Sequence, residues 1–302
     1  MTVRPAVPED DLDTIHAADP TWVGSEWFWA FAEALLLDHP AFTWCYDDGG
    51  VAVGHAALDC QARRSPTQAA AYLWVAPSAR RRGAGTALGR RVLDVAREHG
   101  FSTVLVPVPE ADPDGRSVTE HWGGRVDGHH FEQTLDLGGL TDPRVSDLTA
   151  RAIGSGVTFH EVSGDDGMRA VYPFVRDRYD EAPDTGEASE PLTLEVLQAM
   201  ATPENMLVAC VGDRTVGVTC VTHRTDDPPT VNTVFTGVHP ESRGLGIATA
   251  LKAEQARRLR DRGYRTLVTQ NMEGNEPILA ANVRMGFRRG PGWFDYIVPT
   301  RP

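Results

Sequence analysis

Two short segments of the chain carry arginine, glycine and small residues at the same spacing, a pattern that suits phosphate binding. Each segment follows a proline, and the offset from Pro77 to Pro240 is 163 residues. Counted from the proline, arginine falls third, glycine sixth and a small residue eighth: Arg80, Gly83 and Gly85 in the first copy, Arg243, Gly246 and Ala248 in the second. Glycine lets a diphosphate approach the backbone, and arginine donates charge-assisted hydrogen bonds to it. Each segment therefore predicts an anion site.

The residues around each segment predict the strand and the helix that would position it. Tyr72–Val75 and Val234–Val238 are rich in β-branched and aromatic residues and end just before the proline, as a strand meeting a turn does. Apolar residues at helical spacing follow each glycine, and Gly100 and Gly263 stand where the two helices would end. A helix that begins at such a turn leaves its first backbone N–H groups unpaired, and its dipole adds positive potential there. The sequence therefore predicts two strand–loop–helix units that bind phosphate.

Two common phosphate-binding motifs do not fit these segments. Neither copy has the Lys-Ser/Thr pair of a P-loop, and neither shows the third glycine and later acidic residue of a dinucleotide fingerprint. One glycine-rich loop is most often only a turn. Two copies with the same spacing and the same flanking pattern indicate a shared binding role.

Length and charge limit the classes of protein to consider. At 302 residues the chain is long enough for two domains of about 100–200 residues, and the repeat places them at 1–140 and 157–302. The net charge of −13 repels phosphate backbones and anionic lipid, so neither nucleic acid nor a membrane is expected as a partner. The N-terminal residues lack the pattern of a signal peptide, and no apolar run is long enough to span a bilayer, so a cytoplasmic location is expected.

The cysteines show no sign of a metal site or a disulfide framework. They form no Cys-x-x-Cys pair and have no neighbouring ligand cluster: Cys45, Cys60, Cys210 and Cys220. We therefore expect no bound metal.

Both segments resemble the coenzyme loop of the GNAT superfamily of N-acetyltransferases. The shared pattern is Arg-x-x-Gly-x-Gly/Ala after a Val-x-Pro strand end, followed by Ala-Leu in the helix. The segment TQNMEGNEPILAANVRMGF, residues 269–287, is also similar to the family's later strand, asparagine-containing loop, helix and closing Gly-Phe. Two such units in one chain resemble the tandem GNAT proteins of the mycothiol synthase type.

The resemblance implies an α/β fold of two tandem units, each a mixed, mostly antiparallel sheet flanked by helices, with central strands splayed to admit the pantetheine arm. It implies acetyl-CoA as the acyl donor, with its diphosphate on the backbone amides of the loop. Carried over by position, the first coenzyme site comprises Val75, Arg80, Arg81, Arg82, Gly83, Ala84, Gly85 and Thr86. The second comprises Val238, Arg243, Gly244, Leu245, Gly246, Ile247, Ala248, Thr249, Asn275 and Asn282. The alternative for the two asparagines is a helix N-cap and a helix-end hydrogen bond.

The two halves are predicted to differ in activity. The second keeps the asparagine-containing loop and the Gly-Phe pair, whereas the first has Gly123-Gly124 where Gly-Phe is expected. We therefore predict that the C-terminal half is catalytic. The N-terminal half then either binds coenzyme without turnover or serves as support.

The implied reaction is direct attack of a small-molecule amine on the thioester, which makes the protein an N-acetyltransferase. Such a reaction needs a proton acceptor for the amine and a proton donor for the thiolate, with a backbone N–H near Val238 polarising the carbonyl. Relatives place a carboxylate where this chain has Ala69 and Asn232, and a tyrosine where it has Asn282.

The catalytic residues are therefore left open. Asp177, Asp180 and Glu181 are candidates for a base from elsewhere, and the alternative for all three is a solvated acidic helix end. A non-catalytic acyl-CoA-binding module also stays open, since the usual acid–base residues are missing. So does a structural chain that has lost the coenzyme.

Overall fold

The computed structural model describes residues 2–7, 10, 41–60, 65–181, 192–223 and 229–301. These residues form two compact α/β units. The first unit draws its described residues from 1–129 and 292–302, and the second from 130–185 and 191–291.

The first unit is built on a mixed sheet with the strand order β1-β2-β3-β4-β5-β12. Its strands are β1 (Thr2–Pro5), β2 (Ala41–Asp47), β3 (Ala52–Asp59), β4 (Gln68–Val75), β5 (Thr103–Pro109) and the later part of β12 (Arg288–Pro299). Neighbouring strands are antiparallel except for β4 and β5, which are parallel. Two helices follow the parallel strands: α1 (Ala84–Glu98) and α2 (Pro113–His121).

The core of the first unit lies between α1 and one face of this sheet. Alternate residues of β4, including Ala69 and Ala71, pack against residues of α1 that recur at helical spacing, Leu88, Val92 and Val95. Because side chains alternate across a strand, Tyr72 and Trp74 belong to the opposite face of β4. The core thus fixes the orientation of the strand that leads into the first coenzyme loop.

The second unit repeats the arrangement with the strand order β7-β8-β9-β10-β11-β6. Its strands are β6 (Arg125–Asp136, from His130 onward), β7 (Val157–Glu161), β8 (Met206–Val211), β9 (Arg214–His223), β10 (Thr230–Val238) and β11 (Thr266–Met272). Only β10 and β11 are parallel in this sheet. Its helices are α3 (Asp142–Gly154), α4 (Gly164–Tyr179), α5 (Leu194–Met200), α6 (Ile247–Asp261) and α7 (Glu276–Met285).

Apolar clusters cover both faces of the second sheet. Ile247, Ala250 and Leu251 of α6 pack with β8 and β9 on one face. Met168 of α4 and Leu197 of α5 pack with residues of the opposite face. The face that is opposite to α6 is therefore an apolar core in this unit.

The sequence repeat is carried into the structure without a change of offset. Helices α1 and α6, strands β5 and β11, and strands β6 and β12 each begin and end 163 residues apart. Gly100 and Gly263, predicted to end the two helices, both have positive φ, at 86° and 94°. The predicted α/β fold of two repeated units, each with a mixed and mostly antiparallel sheet, is confirmed.

The last strand of each half belongs to the sheet of the other unit. Residues 293–299 of β12 pair with β5 in the first unit, and residues 130–136 of β6 pair with β11 in the second. The segments 1–140 and 157–302 stay a prediction for the bounds of the two domains. The compact units differ from those segments by these two exchanged strands.

Candidate functional site

The two predicted coenzyme loops have the same backbone path. A 3-10 turn after the strand leads to Gly83 in the first unit and to Gly246 in the second, and each glycine is the residue before its helix. Their φ angles, 91° and 82°, lie in the left-handed region that favours glycine. In the described part of the chain no side chain caps either helix. The first backbone N–H groups of both helices are therefore available to an anion.

The first arginine of each loop is held against the end of its strand. Arg80 Nε donates to the carbonyl of Val75 at 3.0 Å, and Arg243 Nε donates to the carbonyl of Val238 at 3.4 Å. Arg243 also forms an ion pair with Glu181, with 2.6 Å between Nη2 and Oε2. Both guanidinium groups thus lie at the mouth of a loop, and in the second unit an acidic side chain already binds one of them.

The next position shows a conformation that is costly for arginine. Arg81 has a φ of 61°, and the equivalent residue of the second unit is Gly244, with a φ of 79°. A side chain in the left-handed region costs roughly 1–2 kcal/mol, and such strain is concentrated at functional sites. The first loop therefore keeps a strained arginine where the second has an unstrained glycine.

The parallel strands of each unit separate beyond a short ladder. β4 and β5 pair only from Gln68 to Ala70, and β10 and β11 pair only from Thr230 to Thr233. The expected splay of the central strands is therefore present in both units. It leaves a gap between the strands that begins close to the coenzyme loop.

In the first unit this gap is a cavity of about 220 Å³. Arg80, Arg81 and Gly85 line it at the loop end, while Ala71 and Tyr72 line it where the strands rejoin. Sites for drug-sized ligands measure about 300–1,000 Å³, so the cavity suits one part of a ligand, such as an extended arm, rather than the whole coenzyme.

A glycine and a tryptophan form the helical wall of the cavity. Gly89 of α1 faces the ring of Trp122, and a Cβ atom on Gly89 would lie 1.4 Å from that ring. No other residue leaves room for Trp122 in this position. Trp293 of the exchanged strand β12 also lines the cavity, so the C-terminal strand helps to build the site.

The equivalent positions of the second unit carry polar side chains that are buried. At the offset of 163, Lys252 replaces Gly89, Thr269 replaces Val106, Asn271 replaces Val108 and Asn282 replaces Thr119. These four side chains of the second unit are at most 6% exposed.

The asparagines belong to a hydrogen-bonded cluster of amides. Asn282 Nδ2 donates to Gln133 Oε1 at 2.8 Å and to Asn271 Oδ1 at 3.2 Å, and Asn271 Nδ2 donates to Gln133 Oε1 at 3.0 Å. Asn282 is 0% exposed. Asn271 and Asn282 thus bind each other and Gln133, at two positions that in the first unit border the cavity.

Lys252 is enclosed beside this cluster. It is 2% exposed, its Nζ lies 3.5 Å from Thr269 Oγ1, and the same atom lies 5.1 Å from the centre of the Phe287 ring. Burial, which disfavours the charged form, lowers the pKa of Lys252 to about 7. No carboxylate of the described residues pairs with it.

The remaining predicted residues lie in ordinary structural positions. Asn275 is the N-cap residue of α7, although its side chain makes no capping bond in the described structure, and Asn282 lies in the amide cluster. Their contact with the coenzyme stays a prediction.

The three acidic candidates stand at the exposed end of α4. Asp177 pairs with Arg176 at 2.7 Å, Glu181 pairs with Arg178 at 2.9 Å as well as with Arg243, and Asp180 is the C-cap residue. A catalytic role for any of the three stays a prediction.

Sequence reasoning missed the cavity-lining residues Tyr72, Trp122 and Trp293. The alternation in QAAAYLWV placed Tyr72 on the face opposite the core, which was the available signal. Nothing local indicated that Trp293, more than two hundred residues after Tyr72, would contribute to the same cavity.

The comparisons with known proteins agree with this geometry. Residues 10–118 and, again, residues 171–287 match the model of the acetyltransferase (GNAT) family. The matches cover more than half of the chain, so the chain belongs to the GNAT family and carries its domain twice. The family and its fold support acyl-CoA-dependent acetyl transfer in general. No curated protein matches the chain.

Several solved structures share the fold along nearly the whole chain. A tandem GNAT protein from the clavulanic acid biosynthesis pathway is 21% identical, with a TM-score of 0.70 over 99% of this chain and 98% of that one. A GCN5-related N-acetyltransferase from Sphaerobacter thermophilus is 20% identical, with a TM-score of 0.70 over 99% and 96%. At these identities the likeness shows the fold alone.

A third structure comes from a much longer protein. It is the GCN5-related glucosamine N-acetyltransferase region of a fungal multi-domain GH3 β-N-acetylglucosaminidase, 19% identical with a TM-score of 0.75. The match covers 97% of this chain but 38% of that one, so the chain spans well under half of that protein.

In the ranges that the structure describes, no helix is both long and apolar enough to cross a membrane. The same residues hold no group of three or more histidine, cysteine or acidic side chains that could bind a metal ion.

Proposed function

We propose that the protein is an N-acetyltransferase that moves the acetyl group of acetyl-CoA to a small-molecule amine by direct attack on the thioester. One observation carries the proposal. In the first unit, a cavity between parted parallel strands opens at a loop whose helix N-terminus and arginines are suited to a diphosphate. A phosphate group would fit the loop, and an extended arm attached to it would fit the cavity.

The same observation favours the first unit as the place where the coenzyme binds. Its loop arginines Arg80 and Arg81 line the cavity directly. In the second unit Arg243 is paired with Glu181, and amide side chains bind one another at the positions that border the cavity of the first. Catalysis in the second half, which the sequence predicts, is the competing assignment.

The chemistry follows from placing the thioester in the cavity. Backbone N–H groups of β4 that have lost β5 as a partner can polarise the thioester carbonyl. The amine then attacks the carbonyl carbon, the C–N bond forms, and the C–S bond breaks with its electron pair on sulfur. An amino sugar is one suitable acceptor, since the GCN5-related region that shares this fold is described as a glucosamine N-acetyltransferase.

The alternative is a non-catalytic acyl-CoA-binding module, and a specific observation favours it. Ala69 and Asn232 stand where relatives have a carboxylate, and neither can accept a proton at neutral pH. Thr119, at the position equivalent to Asn282, already donates its hydroxyl hydrogen to the carbonyl of Gly115 at 2.8 Å. The familiar acid–base positions are thus unsuited to proton transfer in both units.

Two measurements on the full chain separate these functions. Calorimetric titration with acetyl-CoA should give one site per chain. Release of free thiol should then depend on an added amine, tested with a panel that includes glucosamine. Tight coenzyme binding with no thiol release from any amine would favour the binding module. No binding at all would leave neither function standing.

A further inference from the structure

We propose that Tyr72 is the catalytic residue that passes protons at the reacting centre of the first unit, an inference that rests on the proposed function. The coenzyme loop fixes the phosphate end of the ligand, so the thioester lies at the opposite end of the cavity. That end is where β4 and β5 rejoin, at Ala70 and Leu105. Tyr72 lies two residues from this junction and lines the cavity.

The position of Tyr72 along the strand sets its distance from the coenzyme loop. Tyr72 lies three positions before Val75, the last residue of β4 before the loop. At about 3.3 Å per residue, this places it roughly 10 Å from the strand end. Tyr72 thus lines the cavity away from the loop, on the side where the reacting end of an arm anchored at the loop would lie.

The other ionisable residues that line the cavity, among those described, are at the loop end. They are Arg80, Arg81, Asp112 and Asp114. Because β5 runs parallel to β4, the residues that follow Pro109 lie toward the same end as the coenzyme loop. Asp112 is also engaged, since its Oδ1 accepts the backbone N–H of Gly115 at 2.9 Å and caps α2. Tyr72 is thus the ionisable side chain at the closed end.

The second unit has a phenylalanine at the position equivalent to Tyr72. Phe235 is equivalent to Tyr72, Val218 to His55 and Gly237 to Trp74. The strand pairings agree, because Tyr72 faces Ala57 and Phe235 faces Cys220 in the two ladders. The second unit therefore has the same strand without the hydroxyl group.

A balanced proton transfer can be written for Tyr72. Attack of the neutral amine gives a tetrahedral zwitterion, which collapses as the C–S bond breaks. The departing thiolate takes the proton from the Tyr72 hydroxyl, and the resulting phenolate takes the surplus proton from the new amide nitrogen. The products are the acetylated amine and free coenzyme thiol, and the tyrosine is restored. General acid–base steps of this kind contribute about 10²–10⁴-fold to a rate.

The test compares Tyr72→Phe with Phe235→Leu, the matched change in the second unit, both in the full chain. Acetyl-CoA is the probe, with the amine that serves the wild type best. We expect Tyr72→Phe to lower kcat at least 100-fold while the Kd for acetyl-CoA stays within about twofold. Phe235→Leu should leave kcat within about twofold.

Three results would overturn the inference. A Tyr72→Phe variant that keeps more than a tenth of the wild-type kcat removes the proton role. Loss of coenzyme binding together with kcat would mean that Tyr72 only shapes the cavity. A wild-type chain that releases no thiol with any amine would overturn the proposed function as well. The wild type alone shows that failure, so it is distinguished from a failure that only the Tyr72→Phe variant reveals.

Discussion

The two units share a backbone plan and differ in what fills it. Both have the glycine loop, the uncapped helix and the short parallel ladder. Between the parted strands, the first has a cavity walled by Gly89 and Trp122, whereas the second has Lys252 and hydrogen-bonded amides at equivalent positions. The two units therefore share the local backbone of the predicted coenzyme loop and differ in the side chains that lie behind it.

The largest effect should come from placing a carboxylate in each loop in turn. Gly85→Asp puts a negative charge at the N-terminus of α1, which stabilises the helix but repels a diphosphate. We expect the Kd for acetyl-CoA to rise at least 100-fold, as measured by calorimetry. The matched variant Ala248→Asp should change it less than twofold. The reverse ranking would place the coenzyme in the second unit, as the sequence predicts.

The buried lysine gives a pH-dependent difference. The unfolded chain keeps the Lys252 proton up to its ordinary pKa of 10.5, and the folded chain keeps it only up to about 7. Between these values the unfolded state binds more protons, so wild-type stability rises with pH by up to about 1.4 kcal/mol per unit. The Lys252→Met variant lacks this dependence. The difference between its free energy of unfolding and that of the wild type should therefore be roughly 2–3 kcal/mol greater at pH 7 than at pH 9.

Chemical denaturation at the two pH values measures this difference. Lys252 is the only lysine of the chain, so no second lysine contributes to it. An advantage that does not change with pH would mean that Lys252 stays protonated inside the fold.

A smaller effect is expected at His55, whose ring lies near that of Tyr72. Its ring centre lies 6.2 Å from that of Tyr72, within the range of packed aromatic pairs. His55→Leu should lower kcat about tenfold in the wild type and not at all in the Tyr72→Phe background. A double-mutant cycle measures the coupling. Equal losses in both backgrounds would show that His55 acts independently of Tyr72.

The smallest effect concerns the strained arginine of the first loop. Arg81→Gly removes the strain of the left-handed conformation from the folded state. Glycine also gives the unfolded chain more conformational freedom, which opposes folding by a similar amount. The free energy of unfolding should therefore change by less than about 0.5 kcal/mol. Arg82→Gly removes a neighbouring arginine whose φ is not positive and should lower stability by about 0.5–1 kcal/mol. Urea titration measures both. A larger loss for Arg81→Gly would show that the strain is offset by contacts of its side chain.

Local features of the fold were predictable from sequence, and features set by distant residues were not. The loops follow from Gly83 and Gly246, whose spacing to the preceding proline fixes a turn within a few residues. The cavity depends on Trp122 meeting Gly89, a contact between two helices that no local pattern specifies. Asn282 matched the family's pattern, yet its surroundings are set by Gln133, far away in the chain.

The exchanged strands also escaped prediction, for a related reason. Apolar and polar residues would alternate along β6 and β12 in the same way in either sheet. Their hydrophobic pattern therefore does not specify the strand with which they pair. The acid–base residues were sought at the positions where relatives have them, and Tyr72 lies at neither of those positions.

The exchanged strand β12 has a consequence for synthesis of the protein. It pairs with β5, roughly 190 residues earlier in the chain, and at about 5–20 residues per second the ribosome needs roughly 10–40 s to make that interval. During that time one edge of β5 is exposed, and an unpaired edge invites aggregation. We therefore expect the first unit to complete its folding only after β12 has been synthesised, so that a nascent chain stalled before residue 292 binds no acetyl-CoA.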